Sequence, residues 1–422
     1  MLPTIVHGSS NKGKIQQRSQ FSQSYKHTSV DGLETQLYRA VNYFLLLSEI
    51  FVSLPYDAHQ HVPTDNNKKP NIWLILHIIW CIIIYASLIV AIYSEYTQVN
   101  IDLPTIHKPL YFGEYLVYIV HIFHIMISSY WGRHKCHRFL RTLADFDYNL
   151  VNFEKQPKYE RLTCFLKAHV FLVVLFAIAT VSVNYFYSNG IFLNYTRSLV
   201  VYLLPNLILS ISLIQYYTLL YAIAQRSRRF NEILHAELSQ KNSPRIFNER
   251  LQRIRLLYST LQVFTKEVNN SFGFSVVLVY IGSFTNLAVN IFLIYKYVDA
   301  GNMSAISWIF YLLVWTTMHI AKMFLILYYN HNIQSQNNNT VLIMNEIGGQ
   351  NTEMEDTITH FVLQLIINTR TNIVCGVAEL NLKFITTLLT GMSTVFIFLL
   401  QYAITYEALK LTQNSGNPKP NV

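Results

Sequence analysis

Amide, hydroxyl and aromatic side chains carry most of the chemistry in this otherwise apolar sequence. Near its end, side chains recur at the i, i+3/i+4, i+7 spacing that places them on one helical face, namely Thr394, Ile397 or Phe398, and Gln401. A ring of glutamine amides beside apolar rings is suited to a pore that coordinates cations weakly and closes by dewetting. A lone amide in a membrane helix more commonly bonds a neighbouring helix, and the spacing alone leaves both interpretations open.

Two histidine pairs have metal-like spacing, His121 with His124 and His134 with His137, the second pair flanking Cys136. No further carboxylate or cysteine follows at ligand spacing, which favours structural histidines over a zinc site. The sequence also has no glycine-rich phosphate loop, nucleophile elbow or H-E-x-x-H motif, and no paired carboxylates within its apolar runs. We therefore expect no enzyme activity, no cofactor and no bound metal.

The composition narrows the class of protein that must position these residues. Hydrophobic residues occupy 52% of the 422 positions, and Asp, Glu, Lys and Arg only 13%. A soluble domain carries about a quarter of its residues as these charged types. A disordered chain needs low hydrophobicity, and four cysteines are too sparse for a disulfide scaffold of this length. The composition therefore indicates a polytopic membrane protein.

Seven apolar runs are long enough to cross a membrane as helices. A helix needs about 20 apolar residues to cross roughly 30 Å of hydrocarbon, and each charge at mid-membrane costs on the order of 3 kcal/mol. Only the sixth run contains such a charge, Lys322, which lies about two turns from the end of the run and is expected to reach the interface. The runs are 72–93, 115–131, 168–187, 198–224, 272–295, 306–328 and 384–406.

The segments that flank these runs also have helical patterns. Residues 38–54 are too short and too charged to span, but their apolar positions share one face, which predicts an amphipathic helix at the interface or packed on the bundle. Apolar stripes in the longer polar segments predict a helical domain on one side, built between subunits or folded back on its own spans. The predicted units are an N-terminal segment, a six-span bundle, a helical segment, a seventh span and a tail, over 1–71, 72–328, 329–383, 384–406 and 407–422.

Lysine and arginine lie mostly on one side of the predicted membrane. The segments 1–71, 132–164, 225–271 and 329–383 hold seven, seven, nine and two of the 32 basic residues. Basic loops are retained in the cytoplasm, which predicts a cytoplasmic N-terminus and an extracellular C-terminus. Because the net charge of +9 reflects this orientation, we expect no nucleic-acid partner.

Four Asn-x-Ser/Thr sequons fall on both sides of that membrane. Asn194 and Asn302 lie in short loops predicted to be extracellular, and are candidate glycosylation sites. Asn269 and Asn338 match the same pattern on the predicted cytoplasmic side. The sequons therefore give the orientation modest support.

The most specific motif lies near the C-terminus. It comprises Phe361-Val-Leu-Gln-Leu365, Cys375-Gly376, Leu380-Asn381 and the segment from Thr394 to Tyr402. This series resembles the end of the insect gustatory receptor family, whose seventh span closes with a Thr-Tyr pair, five apolar residues, Gln and Phe. Val395 and Tyr402 depart from that pattern, so the sequence resembles a diverged member. The predicted topology is similar too, because this family has seven spans, an internal N-terminus and an amphipathic helix before the first span.

The resemblance implies an all-α membrane protein that works as a ligand-gated cation channel. It implies a homo- or hetero-tetramer, surrounded by lipid in the plasma membrane of chemosensory neurons, with long cytoplasmic helices and one central pore lined by the seventh spans. A small-molecule tastant or pheromone would open it. The pore and gate residues implied are Thr394, Ile397, Phe398, Gln401 and Tyr402.

In that family the ligand pocket opens to the extracellular halves of spans two to six. Aromatic rings there offer faces to apolar compounds and sugars, and amides fix orientation. Tyr and Trp at span ends are also enriched as an interface belt, whereas Asn286 and Asn290, one turn apart, need partners. Pro205 is expected to kink span four toward a cavity. The candidate residues are Phe112, Glu114, Tyr115, Tyr118, Asn184, Tyr185, Tyr202, Asn206, Asn286, Asn290, Trp308, Tyr311 and Trp315.

Three other functional classes make different predictions. A G-protein-coupled receptor has seven spans but the opposite orientation, and this sequence lacks D-R-Y after span three and N-P-x-x-Y in span seven. A secondary transporter predicts internal repeats, and none is visible between 72–224 and 272–406. An odorant receptor of the same superfamily is a nearer alternative, which the seventh-span motif disfavours.

Overall fold

The computed structural model describes residues 30–54, 72–102, 107–151, 157, 159–187, 192–238, 244–299, 305–348, 355–368, 373–374, 378–380 and 384–416. The helices are α1 Val30–Ile50, α2 Ile72–Asp102, α3 His107–Trp131, α4 Arg133–Val151, α5 Tyr159–Tyr187, α6 Phe192–Ser198, α7 Leu204–Leu238, α8 Pro244–Asp299, α9 Ala305–Gly348, α10 Glu355–Asn368 and α11 Phe384–Gly416. Two short strands between α10 and α11, β1 Ile373–Val374 and β2 Ala378–Glu379, pair antiparallel. Apart from this strand pair, the predicted all-helical architecture is confirmed.

Among the described residues, seven helical segments are long and apolar enough to cross a membrane, and they match the seven predicted spans. They lie in α2, α3, α5, α7, α8, α9 and α11. The protein is therefore a multi-pass membrane protein. We call the two ends of the bundle the α6 end and the α4 end, after the helices found there. Helix α3 begins at the α6 end and ends at the α4 end.

Three helices continue well beyond the length of a span at the α4 end. The longest, α8, has 56 residues, which is about 84 Å at 1.5 Å per residue. The aromatic rings of Phe230, Tyr258 and Phe361 are almost fully buried where α7, α8 and α10 meet. Leu143 of α4 and Leu261 of α8, both on predicted apolar stripes, are also buried. Helices of the same chain cover these stripes.

The predicted amphipathic helix is α1, which begins at Val30 and ends at Ile50. Leu37, Val41 and Phe44 are buried, and α1 packs on α4 and α5. Its final turn places Val52 at φ 56°, a left-handed conformation that valine rarely adopts. The N–H groups of Val52 and Ser53 donate to the carbonyls of Glu49 and Ser48, at 3.2 and 2.9 Å, in the pattern of a Schellman motif.

A buried ion pair joins α4 to α7. The Arg226 guanidinium donates to the carboxylate of Asp147, whose side chain is fully buried, and the Tyr159 hydroxyl donates to the same oxygen at 2.9 Å. Because buried charges are stable only when paired and hydrogen-bonded, this contact specifies how α4, α5 and α7 assemble.

An irregular turn directly precedes Pro205, where the sequence predicts a kink. Residues Leu199–Leu203 form a π-helical turn, and the Leu204 N–H donates to the Leu199 carbonyl five residues earlier. Pro205 has no N–H, so it cannot complete the regular helical pattern. Isolated π turns are common at functional sites, and Tyr202 and Asn206 stand on either side of this proline.

A single glycine separates α3 from α4. The Gly132 N–H donates to the Ser128 carbonyl at 2.8 Å, and its own carbonyl accepts from the Lys135 N–H at 2.7 Å. A Cβ on Gly132 would clash with the Ser128 carbonyl oxygen. The close backbone approach at this junction therefore requires glycine.

We expect Gly132→Ala to lower the midpoint temperature of thermal unfolding of the purified receptor in detergent. Tryptophan fluorescence measures the unfolding. The backbone must shift to relieve the contact, at on the order of 1–3 kcal/mol. Gly113→Ala is the matched control, since a Cβ there meets nothing within 4 Å. Equal midpoints for the two variants would contradict this account of the junction.

Candidate functional site

Four side chains form a hydrogen-bonded line across the bundle near the π turn. The Tyr118 hydroxyl donates to Glu114 Oε1 at 2.7 Å, and Asn206 Nδ2 donates to the Tyr118 oxygen at 3.0 Å. Lys322 Nζ donates to Asn206 Oδ1 at 2.7 Å. The line connects a carboxylate on α3 to a buried ammonium on α9 through two neutral groups. We call Glu114, Tyr118, Asn206 and Lys322 the polar relay.

The two amides of α8 join the polar relay at its carboxylate. Asn286 Nδ2 donates to Glu114 Oε1 at 2.6 Å, and Asn290 Nδ2 donates to Asn286 Oδ1 at 2.7 Å. Asn286 and Asn290 therefore have the partners that buried amides need. Together the polar relay and these two amides connect α3, α7, α8 and α9.

Lys322 lies inside the bundle, which its position near the end of the sixth run did not predict. It was expected to extend to the interface, but it is 8% exposed and its ammonium bonds Asn206 inside the bundle. The expectation was wrong because Asn206 of α7 offers the ammonium a hydrogen-bond acceptor inside the bundle. A helical side chain also points toward the N-terminus of its helix, and here that direction leads away from the nearer interface.

Trp315 is the centre of an aromatic cluster beside the polar relay. Its ring lies 5.4 Å from that of Phe176, 6.2 Å from Tyr311 and 6.3 Å from Tyr202, centroid to centroid. The hydroxyls of Tyr202 and Tyr115 are 2.7 Å apart, in hydrogen-bond contact. The cluster thus places aromatic ring faces beside the polar relay, and such faces suit apolar or ring-bearing compounds.

Several polar atoms around this cluster are buried without a hydrogen-bond partner among the described residues. They are the indole Nε1 of Trp315, the amide Nδ2 of Asn184 and the hydroxyl of Thr180. Thr180 and Asn184 follow Phe176 by one and two turns of α5. Buried polar groups are rarely left unsatisfied, so hydrogen-bonding atoms of a bound molecule would complete this site.

The structure brings most of the predicted ligand residues together at the α6 end. Trp308 lies in α9, but its side chain is outside the described residues, as is the whole of Asn302; Asn194 is described by its backbone only. Tyr185 is 66% exposed, and its ring contacts that of Tyr195. The residues joined to one another by hydrogen bonds or ring contacts are Tyr115, Tyr118, Tyr202, Asn286, Asn290, Tyr311 and Trp315, with Glu114 and Asn206. Asn184 is bonded elsewhere, because its Oδ1 accepts from the Ser198 hydroxyl at 3.1 Å.

Lys322, Phe176 and Thr180 belong to this site and were not among the predicted residues. For Lys322 a signal existed, because an ionisable residue inside an apolar run indicates a functional position by default. No sequence signal pointed to Phe176 or Thr180, because aromatic and hydroxyl residues are common on lipid-facing helices.

The seventh span, α11, contacts the rest of the described chain mainly through α8. Phe384 and Phe396 of α11 meet Tyr280 and Tyr295 of α8 edge to face, and Leu399 is buried. The predicted pore residues lie outside this contact face. Thr394, Ile397, Phe398, Gln401 and Tyr402 are all exposed in the single chain.

The histidine pairs lie in ordinary polar contacts. His121 Nε2 is 2.6 Å from the Ser275 hydroxyl, and His137 Nδ1 is 2.8 Å from the Tyr38 hydroxyl. Within the described part of the chain, no three His, Cys, Asp or Glu residues converge as metal ligands would.

Comparison with known proteins identifies the family. The 7tm chemosensory receptor family model matches residues 38–406. Gustatory receptor 59f of Drosophila melanogaster is 33% identical over 374 residues, 89% of each chain. Gustatory receptor 59e of the same organism is 25% identical over 139 residues, 33% of this chain and 35% of that protein.

Solved structures share the fold. The insect olfactory receptor OR5 from Machilis hrabei superposes with a TM-score of 0.62 at 11% identity, over 86% of this chain and 99% of OR5. Its complex with eugenol gives a TM-score of 0.56 at 12% identity, over 87% and 99%. The chain therefore belongs to the seven-transmembrane chemosensory receptor family, and its resemblance to the insect gustatory receptors is confirmed.

Proposed function

We propose that this receptor is a ligand-gated, non-selective cation channel opened by a small-molecule tastant or pheromone. The observation that carries the proposal is the uncovered face of α11, which holds hydroxyl, amide and apolar side chains in one stripe. Four copies around one axis would cover that face. Thr394, Ile397 and Gln401 would then form alternating polar and apolar rings, which suit cation passage and hydrophobic gating.

The polar relay and the aromatic cluster support a ligand site at the α6 end. A ligand with ring faces and hydrogen-bonding atoms would stack near Trp315 and partner the unsatisfied groups of Trp315, Asn184 and Thr180. The OR5 structure of the same fold contains eugenol, a small molecule, which agrees with a small-molecule ligand here. The ligand class stays as broad as sugars, bitter compounds and pheromones.

Helix α8 provides a physical connection between the two sites. It carries Asn286 and Asn290 on one side, and contacts α11 through Phe284 opposite Gly391 and Tyr295 against Phe396. A ligand that binds the open state better shifts a closed-favoured equilibrium. Moving it from 1:99 to 99:1 takes about 5.5 kcal/mol of differential binding, or roughly 1.4 kcal/mol from each of four subunits.

We infer the orientation from the basic residues of α4 and of the polar parts of α7 and α8, which lie at the α4 end and favour the cytoplasm for that end. The N-terminus would then be cytoplasmic, the α6 end would face outward, and the receptor would reside in the plasma membrane of chemosensory neurons.

Asn269 is buried and accepts a hydrogen bond from Tyr216, so its sequon is not available for a glycan. We expect Asn194→Gln and Asn302→Gln to remove the mass that a glycosidase releases from the expressed receptor, and Asn338→Gln to leave that mass unchanged. The reverse result would show that the α4 end is extracellular.

The channel proposal is tested by expressing the receptor in cells and recording currents evoked by a panel of sugars, alkaloids and phenols. We expect a ligand-evoked cation current that persists when G-protein signalling is blocked, because the pore belongs to the receptor itself. Current that disappears with that block would favour a G-protein-coupled receptor instead.

Trp315→Phe is expected to weaken the response to an agonist found in this way. The substitution keeps an aromatic ring but removes the indole N–H, and a net hydrogen bond is worth about 0.5–1.5 kcal/mol. The half-maximal concentration should rise roughly 2- to 10-fold. Trp131→Phe, on a side chain 78% exposed at the α4 end, should leave it unchanged. Equal shifts for both variants would place the ligand elsewhere.

A further inference from the structure

A cavity of about 130 Å³ lies at the α4 end, away from the polar relay. Residues of five helices line it, α1, α3, α4, α7 and α8, and it is partly open to the outside. Its walls are mostly apolar, with Phe44 from α1, Ile125 from α3, Phe139 from α4, Leu219 from α7 and Phe272 from α8. No step of the proposed ligand gating uses this space.

Most of the deeply placed polar groups around the cavity are already paired. Gln215 Nε2 donates to the Ser53 hydroxyl at 2.9 Å, which donates to the Ser48 carbonyl at 3.1 Å. The Ser275 hydroxyl is 2.6 Å from His121. Ser129 is different: it lines the cavity, is 5% exposed, and its hydroxyl has no partner among the described residues.

One wall of the cavity is held in a strained conformation. Ser53 and Leu54 line it and directly follow Val52, which has the positive φ. Such strain persists where the surrounding structure holds it, and it clusters at ligand clamps and functional sites. Here the strained turn carries Ser53 to its bond with Gln215 and so forms the wall of the cavity at the end of α1.

We propose that this cavity is a second binding site, for a small neutral molecule that is mostly apolar and carries one hydroxyl group, such as a short-chain alcohol or a phenol. An apolar protein cavity of about 150 Å³ holds a benzene-sized molecule, which sets the size class. The hydroxyl of the ligand would pair with Ser129. A phospholipid acyl chain lacks that hydrogen-bonding group, and a water needs two to four polar partners. This site is independent of the proposed ligand site at the α6 end.

The test is photolabelling of the full-length receptor in lipid nanodiscs with a diazirine-bearing alkanol, with adducts mapped by peptide mass spectrometry. We expect adducts on residues 124–140, and competition by hexan-1-ol. Ser129→Leu fills the space and should abolish this labelling. Ser182→Leu is the matched control, an exposed serine on α5 that bonds its own helix, and should leave labelling intact.

Ser129→Ala keeps the space and removes only the hydroxyl, so it remains informative if the leucine variant does not fold. It should raise the hexan-1-ol concentration that halves labelling by roughly 2- to 10-fold. Adducts that hexan-1-ol does not displace, or that Ser129→Ala and Ser129→Leu leave unchanged, would overturn the proposal. A phospholipid that stays bound and blocks labelling in the unaltered receptor would overturn it too.

Discussion

A receptor carrying Lys322→Met is expected to unfold at a lower temperature, and to reach the cell surface in smaller amounts, than the unaltered receptor. Lys322 is buried, and its ammonium is the positive end of the polar relay that leads to Glu114. Removing one member of a buried charge network leaves the other charge uncompensated, which costs on the order of 3 kcal/mol. Thermal denaturation in detergent and surface biotinylation measure the two effects.

A double-mutant cycle separates this charge effect from simple loss of packing. Glu114→Gln keeps an oxygen that accepts from Tyr118 and Asn286 but removes the negative charge. If the two charges stabilise each other through Tyr118 and Asn206, the double variant should lose less than the sum of the single losses, by about 1 kcal/mol or more. Additivity within about 0.5 kcal/mol would show that the relay does not couple them.

Lys266→Met is the matched control for the substitution itself. Lys266 lies on α8 and is exposed, so the loss of its charge should change stability by no more than about 0.5 kcal/mol. An equal loss from Lys266→Met would show that methionine at either site acts through something other than the polar relay.

The spans could be predicted from the sequence because uninterrupted apolar length is a one-dimensional property. Each of the seven runs lies in a helix that can cross a membrane. The helix ends were less predictable. α8 runs from Pro244 to Asp299 without interruption, since its polar half is held by tertiary contacts that periodicity in a short window does not reveal.

The location of the candidate ligand site stays a prediction, which the family resemblance implied and the aromatic and amide residues of several spans support. The structure joins Asn286 to Glu114 at that end. The bond from Lys322 to Asn206 spans 116 positions, and nothing local in either segment predicts it. Which polar atoms remain unsatisfied, such as Trp315 Nε1, depends on three-dimensional packing alone.

Gln401→Leu is expected to reduce the single-channel cation conductance about tenfold, which corresponds to about 1.4 kcal/mol of added barrier. In the proposed tetramer, four Gln401 amides supply a polar ring one helical turn from the apolar side chains of Ile397 and Phe398. Leucine removes the oxygens that replace part of the ion's hydration shell and lengthens the apolar constriction, which favours dewetting. Single-channel recording with the same agonist measures the change.

Leu389→Ala is the matched control on the same helix. Leu389 is 57% exposed and lies roughly 120° around α11 from Gln401, at 100° per residue. A pore-lining role predicts that conductance and selectivity change for Gln401→Leu and not for Leu389→Ala, while the half-maximal agonist concentration stays similar in both. Normal conductance and selectivity in a Gln401→Leu receptor that still responds to agonist would remove Gln401 from the pore. The uncovered face of α11 would then be a packing surface between subunits, with the conduction path formed by other helices.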